Sequence, residues 1–329
     1  IIGGQPGTGK TTIAMALAAT VTTGGRWPDG SQAKRGSVVI WSGEDDPGDT
    51  LVPRLRAAGA DMTRVFFVQG VREDGKRYPF DPARDTEALR AVMADDVRLL
   101  VIDPIVSAVA GDSHKNAEVR RRLQPLVDLA LQCRCALLGV THFTKGTAGR
   151  EPVERITGSL AFGALARLVM VTAKADAKGE EGARRFLARA KSNIGPDGGG
   201  FVYDMLEEEL PGFPGVTATF VQWGTALEGT ARELLADAEQ QDHEMEEQRD
   251  AIDWLRDVLG CGPVPVKEVR RQADDSGFAW RTVQRAMRRA GVESKRTGFG
   301  QTATWRLTSC ATLGTVAPHK LSGANGANG

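Results

Sequence analysis

Gly4, four intervening residues, and then Gly9-Lys10-Thr11 make up the stretch of this chain with the clearest chemistry. Glycines at that spacing let backbone N–H groups converge on an anion, because side chains would obstruct its approach. The lysine supplies a point charge, and the threonine hydroxyl completes the shell of a Mg2+ ion. Ile1 and Ile2 precede the glycines, and a helical pattern from Thr12 to Ala19 follows. The loop is therefore predicted between a strand end and a helix N-terminus, where phosphate is favoured. A chance strand–turn–helix rarely ends in Gly-Lys-Thr at this spacing. Gly4, Gly7, Gly9, Lys10, Thr11 and Thr12 form the expected site for the phosphates of a nucleoside triphosphate, with Thr11 on its metal.

Carboxylates follow two later apolar runs. In VVIWSGEDD, Glu44 and Asp45 come directly after a strand pattern, and in LLVIDP, Asp103 ends one. Strand tips of a parallel sheet line the ligand crevice. Glu44 is the expected base that orients and deprotonates an attacking water, with Asp45 as a neighbouring acid that supports the site or its metal. Asp103 is the expected Mg2+ carboxylate, partly through water. Two adjacent acids are by themselves more often a solvated loop, and only the phosphate loop tips the reading towards chemistry. A further run ends in Thr141-His142, where His142 is either structural or a group that senses the terminal phosphate.

Several elements must hold these groups together. Apolar β-rich runs recur at 37–41, 65–68, 99–102, 136–140 and 168–173, with helical patterns at 10–22, 85–95 and 117–133. That alternation predicts an α/β fold with a mostly parallel central sheet. After Lys174, the runs at 184–193, 201–206 and 218–223 are separated by Gly/Pro turns and predict antiparallel strands that extend the sheet. The missing initial Met and the short first run predict a truncated first strand, with more chain upstream.

Composition is that of an ordinary globular protein, 41% hydrophobic and 26% charged. With 42 basic and 42 acidic side chains, the chain as a whole gives no electrostatic argument for nucleic acid. The four cysteines lack zinc-site spacing and suit reduced thiols in a cytoplasmic protein, and no long apolar run predicts a membrane span. Charge is instead segregated. Residues 233–257 carry ten acidic side chains against two arginines, whereas 262–307 carry ten Lys/Arg against four Asp/Glu. The expected domains are an ATPase-type unit at 1–230, an acidic, solvent-exposed helical connector at 231–247, a basic module at 248–307 and a disordered tail at 308–329.

The ordered set GGQPGTGKTT, WSGEDD, LLVIDP, GVTHFTKG, GSLAFGALARLVMV and ARAKSNIGP resembles the RecA-fold ATPases of the plasmid RepA helicase group, relatives of hexameric replicative helicases. The likeness covers roughly residues 1–225. It implies a RecA-like P-loop core that uses ATP and Mg2+, with Glu44 as catalytic carboxylate, Asp103 on the metal and His142 as γ-phosphate sensor. It also implies that Arg167 acts on the neighbouring subunit's nucleotide, with Lys191 as another basic group and Arg189 a less certain one. A surface arginine after a small-residue helix is the plain alternative for Arg167. The resemblance further implies a homo-oligomeric ring, single-stranded DNA gripped by loops 107–118 (His114, Lys115) and 143–156 (Lys145, Arg150, Arg155), and a primase as partner or as a fused upstream domain.

The basic module reads independently of that likeness. Ala251, Ile252, Leu255 and Leu259 share one helix face, and Val266, Val269 and Ala273 share another. In a third helix Val283, Ala286, Met287 and Ala290 form an apolar stripe opposite Arg281, Gln284, Arg285 and Arg288. KRTGFGQTATWRL then predicts two short strands around Gly298 and Gly300, with Trp305 as core. Three helices and a hairpin predict a small C-terminal winged helix-turn-helix domain. Its expected duplex DNA contacts are Arg281, Gln284, Arg285, Arg288, Lys295 and Arg296, although such modules also dock proteins. Three functions stay open: a DNA helicase motor, an ATP-switched initiator or regulator that does not unwind, and a transcriptional regulator worked by its winged helix.

Overall fold

Strands β1 (Ile2–Gly4) and β2 (Ser37–Ser42) flank helix α1 (Lys10–Thr23) in sequence, and α2 (Val52–Ala57) leads to β3 (Val65–Phe67). A short antiparallel hairpin, β4 (Gly70–Glu73) and β5 (Lys76–Pro79), precedes α3 (Thr86–Val92), β6 (Val97–Asp103), α4 (Asn116–Gln132) and β7 (Ala136–Gly139). Four of these strands form a parallel sheet in the order β3-β2-β6-β7. After α5 (Leu160–Leu165) come β8 (Leu168–Asp176), β9 (Ala183–Ser192), β10 (Gly200–Glu209) and β11 (Thr217–Leu227). They form a second sheet, β1-β8-β9-β10-β11, in which β1 and β8 are parallel and the later pairs antiparallel. A parallel bridge from Ile2 to Val140 joins the two sheets, so β1 lies between the β7 segment and β8. This computed structural model describes residues 1–329 except 74, 110–115, 157–159, 177–182, 297–302 and 309–329.

The apolar runs split between two cores because strand side chains alternate. Val38, Ile40, Leu99 and Val101 pack with Ala14, Met15 and Ala18 of α1, while Val39, Trp41, Leu100 and Ile102 pack with Leu123 and Leu126 of α4. Strands apolar on both faces are what a parallel sheet covered on both sides requires. Helix α1 is itself buried nearly all round, its Ile13 and Ala16 meeting Leu187, Tyr203 and Val221 beneath the antiparallel strands. The result is a RecA-like P-loop α/β core with a largely parallel sheet.

The chain divides into two compact units, Ile1–Asp242 and His243–Gly329. One helix, α6 (Ala231–Gly260), replaces the expected connector at 231–247 and the separate helix expected after it. Residues 231–259 contain neither glycine nor proline, so nothing breaks the helix at the boundary expected after residue 247. Its first turns are also not a solvated connector, since Ala231, Leu235 and Ala238 belong to the core of the first unit. The second unit continues with β12 (Val264–Pro265), α7 (Val266–Asp275), α8 (Trp280–Arg289), β13 (Val292–Lys295) and β14 (Thr304–Leu307). Its strands form an antiparallel sheet, β12-β14-β13, over a core that includes Leu255, Val269, Val283 and Trp305. The expected hairpin tip, with Gly298 and Gly300, and the expected tail beyond Thr308 lie outside the described residues. Among the described residues no helix is long and apolar enough to cross a membrane.

Candidate active site

The glycines of the opening loop meet separate constraints. A Cβ on Gly4 would lie 2.2 Å from the Thr172 hydroxyl and 2.6 Å from its carbonyl oxygen, so strand β8 leaves room only for hydrogen. Gly7 and Gly9 have φ of 73° and 90°, the left-handed region that other residues rarely adopt. The loop rests on the antiparallel part of the sheet. Thr8 Oγ1 lies 2.6 Å from Thr172 Oγ1, and the buried Tyr203 hydroxyl donates to the Thr8 carbonyl. Lys10 is buried and donates to the Gln5 carbonyl at 2.8 Å. Burial lowers its pKa to about 8, against the opposing pull of Asp103 and Glu44. Thr12 is buried one residue beyond Thr11.

Thr11 Oγ1 donates to Asp103 Oδ2 at 2.7 Å. Asp103 is 6% exposed, and burial pushes its carboxyl up to about 6; Thr11's hydrogen bond and Lys10 oppose the rise, while Glu44 and Asp45 add to it. Sheet topology brings the other acids to this level. Ser42 is paired with Asp103 across β2 and β6, and the Gly43 N–H donates to the Asp103 carbonyl at 2.8 Å. Glu44 is exposed, with a carboxylate oxygen 3.8 Å from His142 Nε2. Asp45 is instead held by Arg54 of α2 at 3.1 Å. Half-buried His142 has a pKa below its ordinary value, mainly through burial and then through Lys10, with Glu44 opposing.

A hydroxyl and a carboxylate oxygen in contact form a hard donor pair that suits Mg2+, an ion that keeps several waters and shares nucleotide phosphates. Among the described residues no group of three or more His, Cys, Asp or Glu forms a metal cage. Lys10, Thr11, Asp103, Glu44 and His142 thus converge at the carboxyl ends of the parallel strands.

Arg167 and Lys191 stand elsewhere. Gly4 is paired with Thr172, and Arg167 comes five residues earlier, just before β8, or about 17 Å away at strand rise. Arg167 is exposed. The Lys191 ammonium donates to the carbonyls of Gly163, Ala164 and Ala166 at 2.9, 3.2 and 2.9 Å, tying down the end of α5 and the turn into Arg167. Arg189 donates to the Pro196 carbonyl at 2.7 Å. In the loop after β7, Lys145 and Arg150 are exposed, but Arg155 is 1% exposed and ion-paired with Glu239 of α6. That burial corrects the expectation that Arg155 faces a nucleic acid strand. His114 and Lys115 lie outside the described residues.

In the second unit, Val283, Ala286 and Ala290 are buried while Arg281, Gln284, Arg285 and Arg288 are exposed on α8. Among the described residues these three arginines make no ion pair, unlike Arg271, which Glu268 and Asp275 hold at either side on α7. Lys295 and Arg296 are exposed at the end of β13. Trp305 is 4% exposed and stacked on Trp280 at 5.3 Å, a core residue as its spacing predicts.

The sequence reading missed the supports of the phosphate loop. Thr172, Tyr203 and Met205, whose sulfur would lie 2.5 Å from a Cβ on Gly9, look like ordinary strand residues, and no motif marks them. No motif marks Lys174 either; its ammonium lies 3.7 Å from where a Cβ on Gly7 would stand, on the flank of β1 away from Asp103. No curated protein matches the chain. A match to the family model of the AAA domain spans residues 1–148, which takes in Lys10, Thr11, Glu44, Asp103 and His142 but ends before Arg155, Arg167 and Lys191. By that match, residues 1–148 hold an AAA-type ATPase module.

Proposed function

We propose that the chain is an oligomeric, ATP-driven motor acting on DNA, of the replicative helicase type. Lys10 and the N–H groups of the Gly4–Gly9 loop hold the β- and γ-phosphates of ATP, and Thr11 with Asp103 holds the Mg2+. When bound, the ion neutralises charge that develops on the phosphate oxygens. Glu44 orients a water and accepts its proton, a role suited to an exposed carboxylate beside the phosphates. His142 reports loss of the γ-phosphate through its contact with Glu44. Arg167 completes the site of a neighbouring subunit, with Lys191 holding the turn that presents it.

The separation of Arg167 from the phosphate loop of its own chain is the observation that carries the oligomer. One sits before β8 and the other beyond the opposite end of β1, so a single chain does not bring them together. DNA is engaged through α8, whose unpaired arginines lie opposite an apolar face, and through Lys295 and Arg296 in a winged helix-turn-helix. A ring of such subunits works in the cytoplasm beside a primase.

The burial of Arg155 supports a second reading, an ATP-switched initiator or regulator, because one cation of the strand-gripping loop is engaged with α6. ATP turnover of the full chain with and without single-stranded DNA, followed by strand displacement on a forked duplex, separates the two. A motor is stimulated by single strands and unwinds only with hydrolysable ATP and intact Lys10. Turnover of an assembled oligomer that ignores single-stranded DNA would leave the switch. In either case Arg285→Ala lowers duplex affinity, with a salt dependence shallower by about 0.9 per lost phosphate contact.

A further inference from the structure

The chain immediately after His142 is fastened to a helix outside the AAA-domain match. Phe143 donates its N–H to the Gly4 carbonyl at 3.2 Å and is bridged to Ile156, whose side chain would lie 3.1 Å from a Cβ on Gly3. The Arg155 guanidinium lies over the Phe143 ring, 4.4 Å from its centroid, and pairs with Glu239 Oε1. The other Glu239 oxygen accepts from the Gly149 N–H at 3.2 Å. A second ion pair, Arg232 with Glu151, joins the same helix to the same loop. Leu235 and Ala238 of α6 lie in one core cluster with Phe143 and Ile156.

An ion pair with its arginine buried and its carboxylate partly exposed is a poor way to gain stability, since apolar residues of similar volume hold a core as well or better. What it does provide is a fixed geometry. Here the fixed element is the ring next in sequence to His142, which itself stands 3.8 Å from Glu44. We propose that Glu239 and Arg155 are positioning residues for nucleotide hydrolysis: through Phe143 they hold His142 in register with Glu44, and α6 answers in turn to the state of the nucleotide. The inference rests on the reading of His142 as γ-phosphate sensor. It makes a helix from beyond the matched domain part of the nucleotide machinery. The path runs from Glu44 to His142, along the chain to Phe143, and by contact through Arg155 to Glu239.

The test uses the full chain, with nucleotide affinity, turnover and hydrogen exchange measured separately. Glu239→Gln keeps the size of the side chain and removes its charge. It is expected to leave ATP affinity within about twofold and lower kcat at least about tenfold, as for other positioning groups. In the wild type, amides at 231–240 are expected to exchange several-fold more slowly with a non-hydrolysable ATP analogue than with ADP, and Glu239→Gln removes that difference. The double variant Arg155→Met/Glu239→Leu fills the space with apolar groups; it is expected to keep the thermal stability of the wild type without recovering kcat.

Wild-type kcat in Glu239→Gln, recovery of kcat in the apolar double variant, or exchange in α6 indifferent to nucleotide would each overturn the inference. His142→Ala separates the two levels of the argument. If it turns over normally, the sensor reading falls and the positioning role with it. If it loses turnover while Glu239→Gln does not, the positioning role alone is wrong.

Discussion

Replacing Asp103 with asparagine should make the nucleotide-free protein more stable while disabling its chemistry. The carboxyl is 6% exposed and its pKa is raised from 3.8 to about 6, chiefly by burial. An acid with a raised native pKa binds more protons folded than unfolded between those values, so stability falls as pH rises from about 4 to 6 and the penalty is complete above that. Roughly two units correspond to about 3 kcal/mol. Asparagine keeps an oxygen to accept the Thr11 hydroxyl and removes the charge. Part of the gain is offset because Asp103 also supports the charged form of buried Lys10, leaving about 1–2 kcal/mol. For a unit of this size that is a rise in Tm of about 2–8 °C. Thermal unfolding with chelator and without nucleotide, at pH 4.5 and pH 8, is the assay. The variant should gain most at pH 8 and little at pH 4.5, and it should lose Mg2+-dependent ATP binding. A variant less stable than wild type at pH 8, or a gain independent of pH, would refute the buried-charge argument.

Glu44→Gln should bind ATP and release phosphate at least about a hundredfold more slowly, while Asp45→Asn, whose partner is Arg54, should change turnover by less than about tenfold; the reverse order in a phosphate-release assay moves the base to Asp45. Arg167→Ala should bind nucleotide normally and turn over poorly, and mixing it with Glu44→Gln protein should restore activity at interfaces that receive both intact groups. No recovery at any ratio, with subunit exchange demonstrated, would remove the trans role. Lys174→Ala should weaken ATP and ADP binding alike, by about 5- to 30-fold in a titration, because its ammonium flanks the loop away from Asp103; unchanged affinity for both would make Lys174 a surface cation.

What the sequence determined by itself is local. Gly4, Gly9, Lys10 and Thr11 are legible because the loop is a short local stretch with a fixed spacing, although the strand that leaves Gly4 no room for a side chain is not visible there. Asp103 and Glu44 are legible because each ends an apolar strand, and parallel strands present their carboxyl ends on one side. The apolar stripe of α8 is legible for the same reason, since 3.6-residue periodicity needs no partner to be seen. The run from 231 to 260 shows where local reading fails: its acidic composition suggests a solvated connector, yet burial of Leu235 depends on a core supplied by other elements. Tertiary structure alone decided the rest. Tyr203 supports Thr8 across 195 residues, and Arg155 is buried because Glu239 waits on a helix that no spacing connects to it. An arginine in a glycine-rich polar loop reads as solvated, since the sequence gives its charge and not its desolvation. Arg167 stands far from the phosphate loop of its own chain only because β8 lies beside β1 and runs parallel to it, a strand order that hydrophobic patterning leaves undetermined.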